Sequence, residues 1–484
     1  MLDKYRPYLI IFFLGILLYS LTAFFGFSYL DDHVLILENN PMINSVSDIG
    51  NIFVEDAFFS NSNFYYRPIL NISFMLDSFI SGPLPWFYHL VNVLLHILAA
   101  CLVFKLLNKL QDSRFLGLFL ALLFLFHPAL VQAVAWIPGR NDSLLAIFIL
   151  SSFLYFIKFL ETPKTANYVG YVLFFLLALF TKEAAIFFPI LLIFYYLFLS
   201  KKKFAETNGL ISMFGATAAI FIWFLFRSLA MSEGSLTIYS VFNSILDNSP
   251  VLIIGLGKFF FPYDLSIMAV IRDAHVLYGL IAIALLFVVF IWKKGIKKEY
   301  FAFGLLWYFL FLVPSLINPE SSSFYYVLEH RFYLPFIGLL IIISQIQFLQ
   351  EINYKKFKSF LPFLLILVLS FSLAAYHLPN FQNRLIFWQS AVFSSPSSPI
   401  AHRNLGAMLY LDGRKDEAIV QYQLALQANK NEPMAHNNIG LIYMEKGDLQ
   451  AAESEFKREL EINPGYDKTL INLNNLLILK NRLR

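Results

Sequence analysis

Between Arg6 and Asp31 the chain carries no charged side chain. A helix rises 1.5 Å per residue, so about 20 apolar residues cross the ~30 Å hydrocarbon core of a bilayer. Lys4 and Arg6 before this run resemble the start of a secretory leader. The run is too long for one and shows no small-residue cleavage site, so a retained first helix is expected. Similar runs recur along the chain. They predict membrane helices near 8–28, 87–107, 115–135, 143–160, 166–181, 184–200, 208–228, 274–292, 300–317, 334–350 and 360–378. His127-Pro128 inside the third predicts a helix that stops early. Only 14% of the 484 residues are charged and 58% are hydrophobic, whereas a soluble domain is about 25% charged. The expected class is an all-α, polytopic membrane protein with about eleven transmembrane helices.

The basic residues lie in short clusters between apolar runs, where they mark cytoplasmic loops. Lys4 and Arg6 place the N-terminus in the cytoplasm. Lys105, Lys109 and Arg114, then Lys158 and Lys164, then Lys201-Lys202-Lys203 mark further cytoplasmic loops. Lys293, Lys294, Lys297 and Lys298, and finally Lys355, Lys356 and Lys358, mark two more. These positions agree with one another only if 250–271, interrupted by Lys258, Pro262 and Asp264, does not cross. It is read as re-entrant or superficial, which is tolerated where it lines a protein cavity. Eleven crossings then put the C-terminus outside the cytoplasm. The net charge of +4 is spent on topology, and no basic face for nucleic acid is expected. Cys101 is the single cysteine, which excludes disulfides and cysteine metal sites.

The last 85 or so residues are ordinary soluble sequence with a repeat. Residues 401–434 and 435–468 align without a gap at a period of 34, the tetratricopeptide (TPR) period. Leu405-Gly406 matches Ile439-Gly440. Gly413 matches Gly447, Ala418 matches Ala452, and Tyr422 matches Phe456. Residues 469–483 read as a closing helix. The expected organisation is a membrane domain over 1–380 with a first outer loop at 29–86, a linker at 381–400 and a TPR region over 401–484.

Under this topology the unusual polar residues share the outer side. Asp31 and Asp32 follow the first helix. Arg67 lies in the same first outer loop, and His127, Arg140, Lys182-Glu183, and Glu329-His330-Arg331 with Tyr333 occupy later outer loops or helix ends. Ionisable groups at membrane depth are costly and mark function by default. This set suits a sugar on a lipid phosphate meeting an acceptor hydroxyl. Cations hold the phosphate and take up charge as it leaves. Arg331, His330, Lys182 and Arg140 are candidates. A carboxylate, Asp31 or Asp32, would take the acceptor proton. Attack in line with the leaving phosphate inverts the anomeric centre. Each group also has a plainer reading: two acids opening a loop, Lys182-Glu183 as a structural pair, Arg331 as an interfacial anchor. His89, Asn92 and His96 share one helix face and are read as interhelical hydrogen-bonding groups. No cofactor is required by a motif, and a divalent cation at Asp31 and Asp32 is left open.

In order along the chain, these residues resemble the transmembrane and TPR-repeat-containing family of O-mannosyltransferases, and more broadly the GT-C glycosyltransferases. The likeness runs through Asp31-Asp32 with Asn40-Pro41, Tyr66-Arg67-Pro68, His89-Leu90-Val91-Asn92 with His96, and His127-Pro128. It continues through Gly139-Arg140-Asn141-Asp142, Lys182-Glu183, Phe261-Pro262, Glu329-His330-Arg331-Phe332-Tyr333 and Asn383-Arg384 to the TPR repeats. The resemblance implies a GT-C-like bundle, a polyprenyl- or dolichyl-phosphate sugar donor and Asp31 as the catalytic acid residue, with Asp32 beside it. The expected donor-phosphate and substrate site draws on Glu329, His330, Arg331, Tyr333, Lys182, Glu183, Arg140, Arg67 and His127. His330 stands where the family usually has Glu and Arg adjacent.

The expectation is a membrane glycosyltransferase moving a hexose, with mannose the family's sugar, to a protein or glycan hydroxyl on the extracytoplasmic side. The partners expected are the lipid-linked donor, the acceptor, membrane lipids and a protein bound by the TPR region. Compact loops and a short repeat array lean towards a prokaryotic plasma membrane. The competing reading is a non-catalytic, membrane-anchored TPR scaffold, which explains 401–468 but not Asp31, Lys182 or Arg331.

Overall fold

A computed structural model describes residues 2–38, 45–59, 65–200, 207–231, 237–291, 297–317 and 325–483. Asn40-Pro41, Lys201-Lys202-Lys203 and Lys293-Lys294 lie outside the described residues. The chain forms two compact units. One comprises residues 1–265 and 275–382, the other residues 266–274 and 383–484.

The first unit is built of apolar helices. Among the described residues six are long and apolar enough to cross a membrane: Tyr5–Phe24, Pro85–Leu110, Ile137–Glu161, Asn208–Ala230, Lys298–Leu316 and Phe357–Phe381. A seventh span is available if Arg114–Leu125 and Pro128–Ala135, bent by 53°, act as one. The bend falls at His127-Pro128, where proline can neither donate its amide nor let the preceding residue stay helical. Four of the expected spans are shorter helices, Thr165–Leu179, Glu183–Leu199, Val276–Ile291 and Tyr333–Ser344. Among the described residues, length and composition thus account for six or seven crossings. The segment expected not to cross forms an 11-residue helix, Pro250–Phe260, about 16 Å long at 1.5 Å per residue.

Burial separates the helices into an inner and an outer set. Ile137–Glu161 is 72% buried, whereas Phe357–Phe381 is 17% buried although equally apolar. Phe13, Leu17, Phe24, Phe214 and Leu365 are all well exposed. An apolar surface of this extent on a soluble monomer would drive aggregation. In a bilayer it is the lipid-facing side. Small residues let inner helices touch. A Cβ on Gly304 would stand 2.5 Å from the Gly338 carbonyl oxygen, so Lys298–Leu312 and Tyr333–Ser344 cross backbone to backbone. A Cβ on Gly279 would collide with the Ile253 carbonyl, which seats Pro250–Phe260 against Val276–Ile291.

The second unit holds two helical hairpins, Pro399–Leu411 with Lys415–Ala428 and Ala435–Glu445 with Leu449–Ile462, followed by Asp467–Leu483. The 34-residue period is visible atom by atom. Gly413 and Gly447 each take a left-handed turn between helices, at φ 79° and 83°, which glycine adopts without steric cost. A Cβ on Gly406 would lie 2.8 Å from the Tyr422 ring, and one on Gly440 would lie 2.7 Å from the Phe456 ring. The helix Arg384–Ser394 precedes the repeats, capped by Asn383 Oδ1, which accepts from the Leu385 and Ile386 amides. The loop at 266–274 belongs to this unit, with Asp273 Oδ2 accepting from Ser395 Oγ at 2.5 Å and the Ser397 amide at 3.0 Å.

Candidate active site

The first helix ends in a 3-10 turn, Ser20–Phe24. The chain then folds back in a tight loop with Tyr29 at φ 59°, a left-handed conformation uncommon for a side chain of that size. Asp32 closes the loop from inside. Its Oδ2 accepts from the Ser28 amide at 2.6 Å and Ser28 Oγ at 3.0 Å, and its Oδ1 accepts from the Leu30 amide at 3.1 Å. It is 1% exposed. Burial raises its pKa, and these hydrogen bonds only partly offset the rise. Asp31 is half-buried. The two neighbouring acids are therefore inequivalent: one holds the loop and the other is presented by it. Asp32 lines a narrow cleft with Gly26, Ser28, His89, Trp136, Ile137 and Phe381.

A second feature lies where several helices begin. Arg67 precedes Pro68–Ser81, with proline at the first helical position. Asp142 is in the first turn of Arg140–Glu161. Lys182 precedes the turn Glu183–Phe187, and Arg331 lies in the turn Glu329–Phe332 that opens Tyr333–Ser344. Lys182 Nζ is 2.6 Å from Asp142 Oδ1. Arg67 Nε is 3.6 Å from Glu183 Oε2, and its guanidinium lies 4.3 Å from the Tyr65 ring centre. The Tyr66 amide donates to Glu183 Oε1 at 2.9 Å. With its amide turned to suit its neighbours, Asn141 accepts from Arg67 Nη1 at 3.2 Å and donates to the Thr181 carbonyl at 2.8 Å. Arg331 Nη1 donates to the Ser315 carbonyl at 3.1 Å and to the Tyr325 hydroxyl at 2.9 Å.

These cations feel one another. Burial lowers the Lys182 pKa, and Arg67 and Arg331 push the same way against Asp142. Burial, then Lys182, Arg331 and Arg67, hold the His330 imidazole well below its usual range. Three basic side chains, Arg67, Lys182 and Arg331, lie close to two carboxylates, Asp142 and Glu183. Three positive less two negative leaves one positive charge. The positive ends of the helix dipoles reinforce it. Trp136 lines the Asp32 cleft, and its ring lies 5.1 Å from that of His330, so Trp136 and His330 connect the loop to the cation cluster.

Four of the residues expected in the donor site are held elsewhere. Arg140 is fully buried: Nη2 lies 2.5 Å from Asp77 Oδ2 and 2.8 Å from the Tyr88 carbonyl, and Nε donates to Asn92 Oδ1 at 2.6 Å. Its charge is met inside the bundle. His127 Nε2 faces the Phe259 carbonyl at 3.1 Å, and its ring stacks on Phe259. Tyr333 shares a 2.7 Å hydrogen bond with His96 Nδ1. Glu329 pairs with Lys258 at 2.8 Å and is fully buried. His330 itself is fixed by Gln132 Oε1, which accepts from its amide at 3.0 Å. Asn92 donates to the Val134, Trp136 and Ile137 carbonyls, the interhelical role expected of its helix face. Among the described residues no group of three or more His, Cys, Asp or Glu side chains converges to hold a metal ion.

Sequence reasoning did not place Tyr65, Tyr325, Ser315, His377 or Gln132, and it read Lys258 only as an interruption of an apolar stretch. None belongs to a recognisable local pattern, and their roles arise from partners far away in the chain. Asp142 was visible only as a neighbour of Arg140, and its pairing with Lys182 across forty residues is a product of the fold.

A family model described as TPR repeat matches residues 406–447. Protein O-mannosyl-transferase Tmtc1 of Drosophila melanogaster is 33% identical over 178 residues, covering 36% of this chain and 20% of the relative. Protein O-mannosyl-transferase TMTC2 of Mus musculus is 36% identical over 154 residues, covering 31% of this chain and 18% of the relative. The same protein of Homo sapiens matches with the same identity and coverage. The chain thus spans about a fifth of the length of the curated relatives it matches. Over about a third of its length the chain is thus similar to protein O-mannosyl-transferases, and it separately carries a TPR repeat.

Proposed function

We propose that this chain is an inverting membrane glycosyltransferase of the GT-C type. It moves a hexose, mannose in keeping with its relatives' names, from a polyprenyl or dolichyl phosphate to a protein or glycan hydroxyl. The observation that carries the reading is the single uncompensated positive charge among Arg67, Lys182 and Arg331. A lipid phosphate-linked sugar is a phosphodiester with one negative charge, and the cluster complements it. Arg331 and Lys182 hold the phosphate oxygens and stabilise the second negative charge that develops as the sugar bond breaks, an effect worth about 10²–10³ in rate per well-placed donor. Asp31, presented by the clamped loop, removes the acceptor proton as its oxygen attacks the face of the sugar opposite the phosphate. Arg140, His127, Tyr333 and Glu329 hold the surrounding helices in place. The basic loops favour a cytoplasmic N-terminus, with the site and the TPR region on the extracytoplasmic side.

The test is Asp31→Asn in full-length protein, with membrane insertion and melting monitored alongside. Transfer is expected to disappear while insertion is unchanged; full activity would remove Asp31 as the base. The scaffold reading offers no use for a half-buried, net-positive cluster. It predicts that the TPR region alone restores function to a strain lacking the protein.

A further inference from the structure

The turn Glu329–Phe332 places three successive side chains on three different supports. Arg331 is held by Ser315 and Tyr325, and His330 by Gln132. Glu329 is held from another direction by two groups that the mechanism above does not use, Lys258 and His377. Lys258 Nζ is 2.8 Å from Glu329 Oε1, and His377 Nε2 is 3.6 Å from Oε2. The side chains of Lys258, Glu329 and His377 are 3%, 0% and 3% exposed. They come from three elements: Pro250–Phe260, the turn itself and Phe357–His377. Asn380 Nδ2 lies 3.0 Å from His377 Nδ1. An amide nitrogen can only donate, so Nδ1 accepts and the ring proton sits on Nε2, facing Glu329. Lys258 also donates to the Asp264 carbonyl. The group is internally neutral, with one ammonium, one carboxylate and one uncharged imidazole.

Burying an ion pair this completely seldom stabilises a fold relative to apolar side chains of the same volume. What it gives is a fixed position. Glu329 cannot move without stranding the Lys258 charge, and two residues along the same turn is the guanidinium facing the phosphate pocket. Taking the donor-site reading above as its basis, we infer that Lys258 is a positioning residue, acting through Glu329 to set Arg331 for phosphate recognition. The 250–260 helix is then a brace for the donor site, which accounts for a lysine in an otherwise apolar segment too short to cross.

Full-length protein in lipid nanodiscs can be titrated with dolichyl phosphate mannose and, separately, with dolichol, which lacks the phosphate. Lys258→Met is expected to weaken binding of the phosphate ligand at least tenfold and leave dolichol binding unchanged, while Lys258→Arg restores the phosphate ligand to within about threefold of wild type. Should Lys258→Met not yield monodisperse protein, the double variant K258M/E329Q, which strands no charge, carries the same measurement. An equal loss for both ligands would overturn the proposal in favour of a general packing role. So would wild-type phosphate binding in these variants while Arg331→Ala loses it. Wild-type binding by Arg331→Ala would instead remove the donor-site reading, and the positioning role with it.

Discussion

Lys182 Nζ and Asp142 Oδ1 lie 2.6 Å apart, with side chains only 14% and 4% exposed. Lys182 stands where a short turn begins and Asp142 in the first turn of the most buried membrane helix. The pair fixes the ammonium within reach of Arg67 and Arg331. It therefore does two things that mutagenesis can separate: it balances a buried charge and it aims a cation.

Lys182→Met leaves the Asp142 carboxylate buried without its partner and is expected to destabilise the membrane domain by about 3–5 kcal/mol. The double variant K182M/D142N should regain most of that stability yet bind dolichyl phosphate mannose at least tenfold more weakly than wild type. Thermal melting and ligand titration on the same preparations check both halves. Wild-type affinity in the double variant would take Lys182 out of the phosphate site.

Arg140 provides the contrast. Its partners, Asp77, Asn92 and the Tyr88 carbonyl, all belong to the bundle interior. Arg140→Met should cost a comparable ~3–5 kcal/mol for a broken buried pair, and adding Asp77→Asn should recover much of it. The folded fraction should bind the donor within about twofold of wild type. A large selective loss of donor affinity at unchanged melting temperature would return Arg140 to the site.

Asp32 makes a pH prediction. Its folded-state pKa is raised above the ordinary 3.8, mainly by burial. A carboxyl with a raised folded pKa contributes stability that is complete below 3.8 and is lost as pH rises through the folded value. Thermal inactivation of wild type should therefore quicken over that acid window as pH rises. Asp32→Asn, which cannot ionise, should quicken less over the same window. Parallel profiles for the two proteins would contradict this.

Gly440→Val tests the repeat. The new side chain would meet the Phe456 ring, already 2.7 Å from where a Cβ would stand. Overpacking of this kind costs about 1–3 kcal/mol. The variant should be cleaved faster by protease within 435–468, with the membrane domain's melting unchanged. Cleavage at the wild-type rate would mean that the ring has room to yield.

Part of this was legible in the amino-acid order. A strict 34-residue period specifies both the paired glycine turns at Gly413 and Gly447 and the small-against-aromatic contacts at Gly406 and Gly440. Those are local constraints, and the repeat states each of them twice. His127-Pro128 announces the 53° break through the chemistry of proline alone. Hydropathy also located the long helices. It could not say which way each helix turns about its axis, and that rotation decides whether an arginine meets lipid phosphate or a buried acid. Arg140 is the example. Its partner Asp77 sits on Pro68–Ser81, a 14-residue helix inside what reads as the outer loop 29–86, too short to register as a span. Glu329 is another: next to Arg331 in sequence, it faces Lys258, 71 residues away.

The clamp that Asp32 places on residues 28–32 bears on the energetics of turnover. Ordering a free loop on substrate arrival would cost about 1–2 kcal/mol of backbone entropy per residue. Here that loss falls once, during folding, and the left-handed Tyr29 is part of it. On the reading proposed above, an acceptor approaching Asp31 meets a backbone already ordered by the Asp32 clamp, so its binding energy can go into reaching the transition state.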